Sequence, residues 1–136
     1  MKPSDYALHD PIVAIATALV PAALGIVRAS GTKCIDLLCP FFSRPKALSK
    51  APGHSIVYGW IIDGETKIDE VVVSVYRAPK SFTGEDSIEI TCHGGPSTVL
   101  TIYRTLIKAG FRPAEKGEFT FRSFANGKTD LTRAEA

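Results

Sequence analysis

The chain has 136 residues, 45% of them hydrophobic and 22% charged, with a net charge of +2. That length suits one domain with a core of its own. So small a charge argues against bulk attraction to nucleic acid or an anionic membrane, and three cysteines with no Cys-x-x-Cys pair argue against a secreted disulfide scaffold.

Residues 1–9 read as a loose terminus. Residues 11–27 carry no charge, but a membrane span needs about 20 such residues. This run is shorter, contains Pro11 and Pro21, and follows Asp5 and Asp10 where a signal peptide is positive. Two strands around a loop of small residues fit it better: a β-branched-rich strand over 12–16, buried on both faces, and a second over 25–29. Ser30 is placed to cap a helix over 32–38, which Pro40 ends. Residues 41–53, with several cations and two prolines, read as a surface loop.

Residues 55–62 read as a strand and 69–76 as its antiparallel return. Asp63-Gly64 signals the turn, and Glu65-Thr66-Lys67 lengthens it. On the return strand Val71, Val73 and Val75 share one face, and Val72, Ser74 and Tyr76 the other. After a break at Ala78-Pro79, residues 87–92 form a further strand ending in His93-Gly94-Gly95-Pro96. Pro96 suits a first helical turn. The helix runs to 109 with Val99, Leu100, Ile102, Tyr103, Leu106 and Ile107 as its apolar stripe, and Gly110 stops it. A short edge strand over 111–113 and a helix over 118–125 bearing Phe119, Phe121, Arg122 and Phe124 follow. Residues 130–135 read as the first turn of another helix, with Thr132 and Glu135 as a capping box. A helix that starts and does not continue suggests a piece of a longer protein. The fold class is α+β, a mixed, largely antiparallel sheet with helices packed on it.

Several residue groups invite chemistry. Cys92-His93 resembles a nucleophile and its base, but neighbours on a strand point to opposite faces, so packing is the better reading. The histidines and cysteines lack metal-ligand spacing. Gly94-Gly95 opens a helix and either makes a tight turn or receives an anion. No Gly-x-x-x-x-Gly-Lys-Ser/Thr run occurs, so these residues hold no nucleotide P-loop. Glu89 alternates with Ile88 and Ile90 and so lies on a strand's polar face. It is either a solvated residue or a bidentate acceptor for paired N–H donors, such as those of a 2-amino-4-oxo pterin or guanine ring. Arg28, ending the uncharged run, is a strand-end surface residue or the one cation of an apolar pocket. Lys128 follows a turn and by itself says nothing.

Taken together, six ordered segments carry a resemblance: residues 12–17, 25–31, 81–86 (Ser-Phe-Thr-Gly-Glu-Asp), 92–96 (Cys-His-Gly-Gly-Pro), 117–120 (Gly-Glu-Phe-Thr) and 126–136. The chain resembles, from about Asp10 onward, the N-terminal domain of the tRNA-modification GTPase family (TrmE, also called MnmE). The resemblance implies a fold like the folate-binding domain of aminomethyltransferase-type proteins. It implies a tetrahydrofolate-binding and dimerisation domain over residues 10–128, with residues 129–136 starting a helical domain. The cofactor expected is 5-formyltetrahydrofolate, a one-carbon donor, and the assembly expected is a homodimer. Arg28, Glu89 and Lys128 match the family's folate-contacting positions: Glu89 for the pterin donors, the two cations for ligand oxygens.

Longer members add a GTPase domain that uses GTP, potassium and magnesium, and work with a flavoprotein partner (GidA, also called MnmG) on the wobble uridine of tRNA in the cytoplasm. These residues alone would hydrolyse no GTP. One departure stands out. The family follows Ala-Thr with a loop of about Pro-Pro-Gly-x-Gly-Gly, whereas this chain reads Ala18-Leu19-Val20-Pro21-Ala22-Ala23. If that loop touches folate, binding is weakened, and the alternative is an assembly domain that has lost its ligand. A third reading, an RNA-binding module, rests on Arg44, Lys46 and Lys50.

Overall fold

The computed structural model describes residues 9–127. Lys128 and the expected helix start after it lie outside the described residues, as do residues 1–8. Strand β1 (Ile12–Ile15) and strand β2 (Leu24–Ser30) flank the loop of small residues. A short helix α1 (Cys34–Leu38) leads through a 3-10 turn (Cys39–Phe41) to helix α2 (Pro45–Lys50). The hairpin of β3 (Ser55–Asp63) and β4 (Thr66–Tyr76) follows, then β5 (Ser87–His93) and the long helix α3 (Pro96–Ala109). A two-residue strand β6 (Arg112–Pro113) and helix α4 (Glu118–Ala125) complete the described chain.

The six strands form one sheet in the order β3-β4-β5-β2-β1-β6. Every neighbouring pair is antiparallel except β1 and β6, which run parallel. The expected α+β class with a mixed, largely antiparallel sheet is the one found. One face is the apolar core: Val13, Val27, Val73, Val75, Ile88 and Ile90 have no exposed surface. Helices α1 and α3 cover that face, and Val99, Ile102 and Leu106 of α3 are buried against it. Each such side chain contributes about 1.5–3 kcal/mol by leaving water.

Register sets the other face. Ser74, Glu89, Arg28 and Ala14 lie opposite one another across β4, β5, β2 and β1, and Tyr76, Ser87, Ser30 and Ile12 form the next row but one. Helix α4 reaches this side of the sheet through Arg122, which donates to the carbonyl of Asp10, two residues before β1. Toward β3 the face is open, with Ile56 and Tyr58 exposed.

Three local expectations are corrected. The 41–53 loop contains α2, because Pro45 fits a first helical turn and Leu48 is fully buried in the core. The hairpin turn is short: Gly64, at φ +61°, and Glu65 join the strands, so β4 begins at Thr66. Thr66 and Lys67 pair with Asp63 and Ile62, and the register shift between Ile61 and Ile62 leaves Ile68 as an extra residue on β4. Ser30 caps nothing. It remains in β2, and α1 starts after Lys33 without a side-chain cap.

Candidate functional site

Glu89 and Arg28 face each other directly across the β5/β2 ladder, with Arg28 Nη2 donating to Glu89 Oε2 at 3.4 Å. Both side chains are part-exposed, 42% for Arg28 and 27% for Glu89, so the pair itself contributes no more than about 1 kcal/mol. At 3.4 Å the contact is longer than the roughly 2.7–2.9 Å of a strong charge-assisted bond. Among the described residues it is the one hydrogen bond either side chain makes. A carboxylate can accept about four bonds and a guanidinium can donate five. Both groups therefore have capacity to spare for a ligand.

The pair forms one side of a cavity of about 220 Å³, lined also by Tyr76, Phe82, Thr83, Ser87 and Phe119. The guanidinium of Arg28 stands 6.0 Å from the centre of the Phe119 ring, within cation–π range. The lining thus combines three aromatic side chains with hydroxyl, carboxylate and guanidinium groups, a set that can meet both the faces and the polar edge of a flat ring. The cavity's volume falls below the roughly 300–1,000 Å³ of a drug-sized site. It has room for a small group only.

The 81–86 loop supplies Phe82 and Thr83, the first residue of β5 supplies Ser87, and α4 supplies Phe119, beside Tyr76 of β4. The loop and α4 are joined by buried ions. Arg122, 1% exposed, donates from Nη1 to both Glu85 carboxylate oxygens at 3.1 and 3.3 Å and to the Asp10 carbonyl at 2.7 Å. From Nη2 it donates to the Asp10 carboxylate and to Glu118 Oε2 at 3.2 Å. Arg112 grips Glu118 bidentately at 2.9 and 2.7 Å and also binds Asp10. His9 adds a 2.8 Å contact from Nδ1 to Glu85 Oε2.

The bonds from Arg112 hold the Asp10 carboxyl below its ordinary range, against burial and with the help of Arg122. Burial raises Glu118, but the Arg112 bonds, the Glu115 backbone N–H and the charges of Arg112 and Arg122 outweigh it and leave the group lowered. Arg112 is raised correspondingly by Glu118 and Asp10.

The remaining sequence candidates fall elsewhere. Cys92 is buried and donates to the Gly25 carbonyl, while His93 is exposed and bound to Asp69 at 2.7 Å. They form no dyad, and burial pushes the Cys92 thiol up to about 11. Burial raises Cys34 and Cys39 as well. Gly94 is a close-approach position: a Cβ there would lie 2.4 Å from the Ala22 carbonyl oxygen. The 18–23 loop thus packs at the Leu24–His93 end of β2 and β5, and none of its residues lines the cavity. Arg44, Lys46 and Lys50 are exposed on or beside α2, with Arg44 donating to the Tyr58 carbonyl. Among the described residues no group of three or more His, Cys, Asp or Glu side chains is arranged to hold a metal ion. No helix among them is long and apolar enough to cross a membrane.

Of the three folate-site candidates, Arg28 and Glu89 come together, and Lys128 lies outside the described residues. Sequence reasoning missed the aromatic walls. Tyr76 was legible as the outward face of its strand, but Phe82 and Phe119 lie in a loop and on a helix whose docking no periodicity reports.

The model of the family described as GTP-binding protein TrmE N-terminus matches residues 11–128. A tRNA modification GTPase MnmE of Treponema denticola is 65% identical over the whole chain, which covers 29% of that protein. The protein of the same name from Treponema pallidum is 60% identical, again over the whole chain and 28% of its own length. That of Borrelia turicatae is 54% identical over 94% of the chain. The chain thus spans under a third of the length of the curated relatives it matches.

Proposed function

The chain belongs to the family of TrmE N-terminal domains, and on that premise we propose that its aromatic cavity binds a reduced folate, 5-formyltetrahydrofolate. The observation that carries the reading is the Arg28–Glu89 pair, set in register at the side of a slot walled by Tyr76, Phe82 and Phe119. The residues fit the group. Glu89 has the acceptor capacity for the paired N–H donors of a 2-amino-4-oxo ring, and Arg28 has donors for its carbonyl oxygen. The aromatic side chains take the faces of a flat ring and exclude water from its edges. Lys128 would meet an oxygen of the part lying outside the slot. When bound, the folate supplies a one-carbon unit.

Homodimerisation belongs to the same reading. The open sheet face with Ile56 and Tyr58 is apolar area that a second copy would cover. In the longer cytoplasmic protein, a GTPase domain using GTP, potassium and magnesium and a flavoprotein partner (GidA, MnmG) would act with this domain on the wobble uridine of tRNA. The rival reading, an assembly domain without ligand, rests on the altered 18–23 loop. That loop's place outside the cavity weighs against it.

Titration calorimetry with 5-formyltetrahydrofolate decides. Native protein should bind, and Glu89→Ala should lose about 10–100-fold in affinity with its bidentate acceptor gone. No heat with native protein overturns folate binding. A monomer in light scattering of the same samples overturns the dimer.

A further inference from the structure

We propose that Arg122 is a positioning residue for the aromatic cavity, holding its hydroxyl floor and its Phe119 wall together through Glu85 and Ser30. The relay is continuous. Arg122 sits one turn after Phe119 on α4 and donates to both Glu85 carboxylate oxygens. Glu85 Oε1 accepts from the Ser30 hydroxyl at 2.9 Å. Ser30 Oγ lies 2.7 Å from Thr83 Oγ1 and 3.0 Å from Ser87 Oγ, and those two side chains line the cavity. Ser30 is also two residues beyond Arg28 on the same face of β2. One strand therefore presents Arg28 to the cavity and Ser30 to the relay.

The chemistry explains why ions stand where apolar packing would serve stability equally well. Replacing a buried ion cluster by well-packed apolar groups is often neutral or stabilising. A guanidinium fork fixes direction as well as distance, which a leucine does not. Glu85 and Arg122 are 4% and 1% exposed, and they bridge a loop and a helix that have no ladder in common. The two cavity walls are set relative to each other by these directional bonds, and a binding group needs support of this kind to stay within about 0.5 Å of its working position.

The proposal takes from the folate reading only the identity of the probe. Calorimetry with 5-formyltetrahydrofolate on the full chain compares Arg122→Met and Ser30→Ala with Leu48→Ala. Leu48 is a fully buried residue on α2 that lines no part of the cavity. Arg122→Met should weaken binding about 10–100-fold and Ser30→Ala about tenfold, with Leu48→Ala within about twofold of native despite its lower thermal midpoint. Native-like affinity in Ser30→Ala, or in a folded Arg122→Met, overturns the proposal. So does an equal loss in Leu48→Ala.

If the native chain binds no folate, that reading falls, and amide exchange decides the positioning role by itself. Loss of protection confined to residues 81–87 and 118–125 in Ser30→Ala and Arg122→Met upholds it. Unchanged protection there overturns it.

Discussion

Helices α3 and α4 solve the same problem by opposite means. Helix α3 turns Val99, Ile102 and Leu106 to the sheet and leaves Arg104 and Lys108 in water. Helix α4 buries Glu118, Arg122 and Ser123 and leaves Phe124 37% exposed. The first helix is held by area removed from water, which is non-directional. The second is held by charge-assisted bonds that work only in one geometry. The apolar helix supports the core, and the ionic one supports a wall of the cavity. Where a loop and a helix must keep one geometry around a cavity, this chain uses bonds that specify an angle.

The largest effects should come from breaking each helix in its own currency. Glu118→Ala leaves Arg122 buried with fewer partners and should cost about 3–5 kcal/mol. Ile102→Ala leaves a cavity under α3 and should cost about 2–5 kcal/mol. Urea unfolding of both checks this, and a Glu118→Ala loss below about 1 kcal/mol would make the ionic helix expendable and end the contrast.

Acid should then separate the two helices. Asp10 and Glu118 titrate below their ordinary values of 3.8 and 4.5 in the folded chain. The unfolded chain therefore binds protons first as pH falls. Their contribution is fully present above about pH 5, begins to go near pH 4.5, and keeps falling through the lowered values of the folded state. Unfolding midpoints between pH 6 and pH 3 should drop less steeply for Glu118→Gln than for native protein, whereas Ile102→Ala should keep the native slope. Equal slopes in all three would sink the assignment.

The smallest stability effect belongs to the cavity itself. Glu89→Gln should change unfolding free energy by less than about 1 kcal/mol, because its pair with Arg28 is solvated. A larger loss would move Glu89 from the ligand's side of the comparison to the scaffold's.

Much of the fold was legible because periodicity reports one-sided burial. The alternation in 71–76, the stripe of α3, and the prolines and glycines at 96 and 110 each had one satisfactory solution. Helix α2 escaped because six residues with two lysines show no period, and only Leu48 reaches the core. In α4 the helix over 118–125 was legible but its buried face was not: a buried Arg122 is intelligible only once Asp10, Glu85 and Glu118 are known to surround it.

The sequence by itself determined the α+β class, most of the strands, the polar outward placement of Glu89 and the family, because local pattern and ordered motifs are properties of neighbouring residues. Only the tertiary structure decided that Arg28 meets Glu89 across 61 residues of chain, that Phe82 and Phe119 line one cavity with them, and that Arg122 of α4 bonds Glu85 of the loop carrying Phe82. Those contacts depend on strand order and register, which bring distant side chains to one face and which no local pattern specifies.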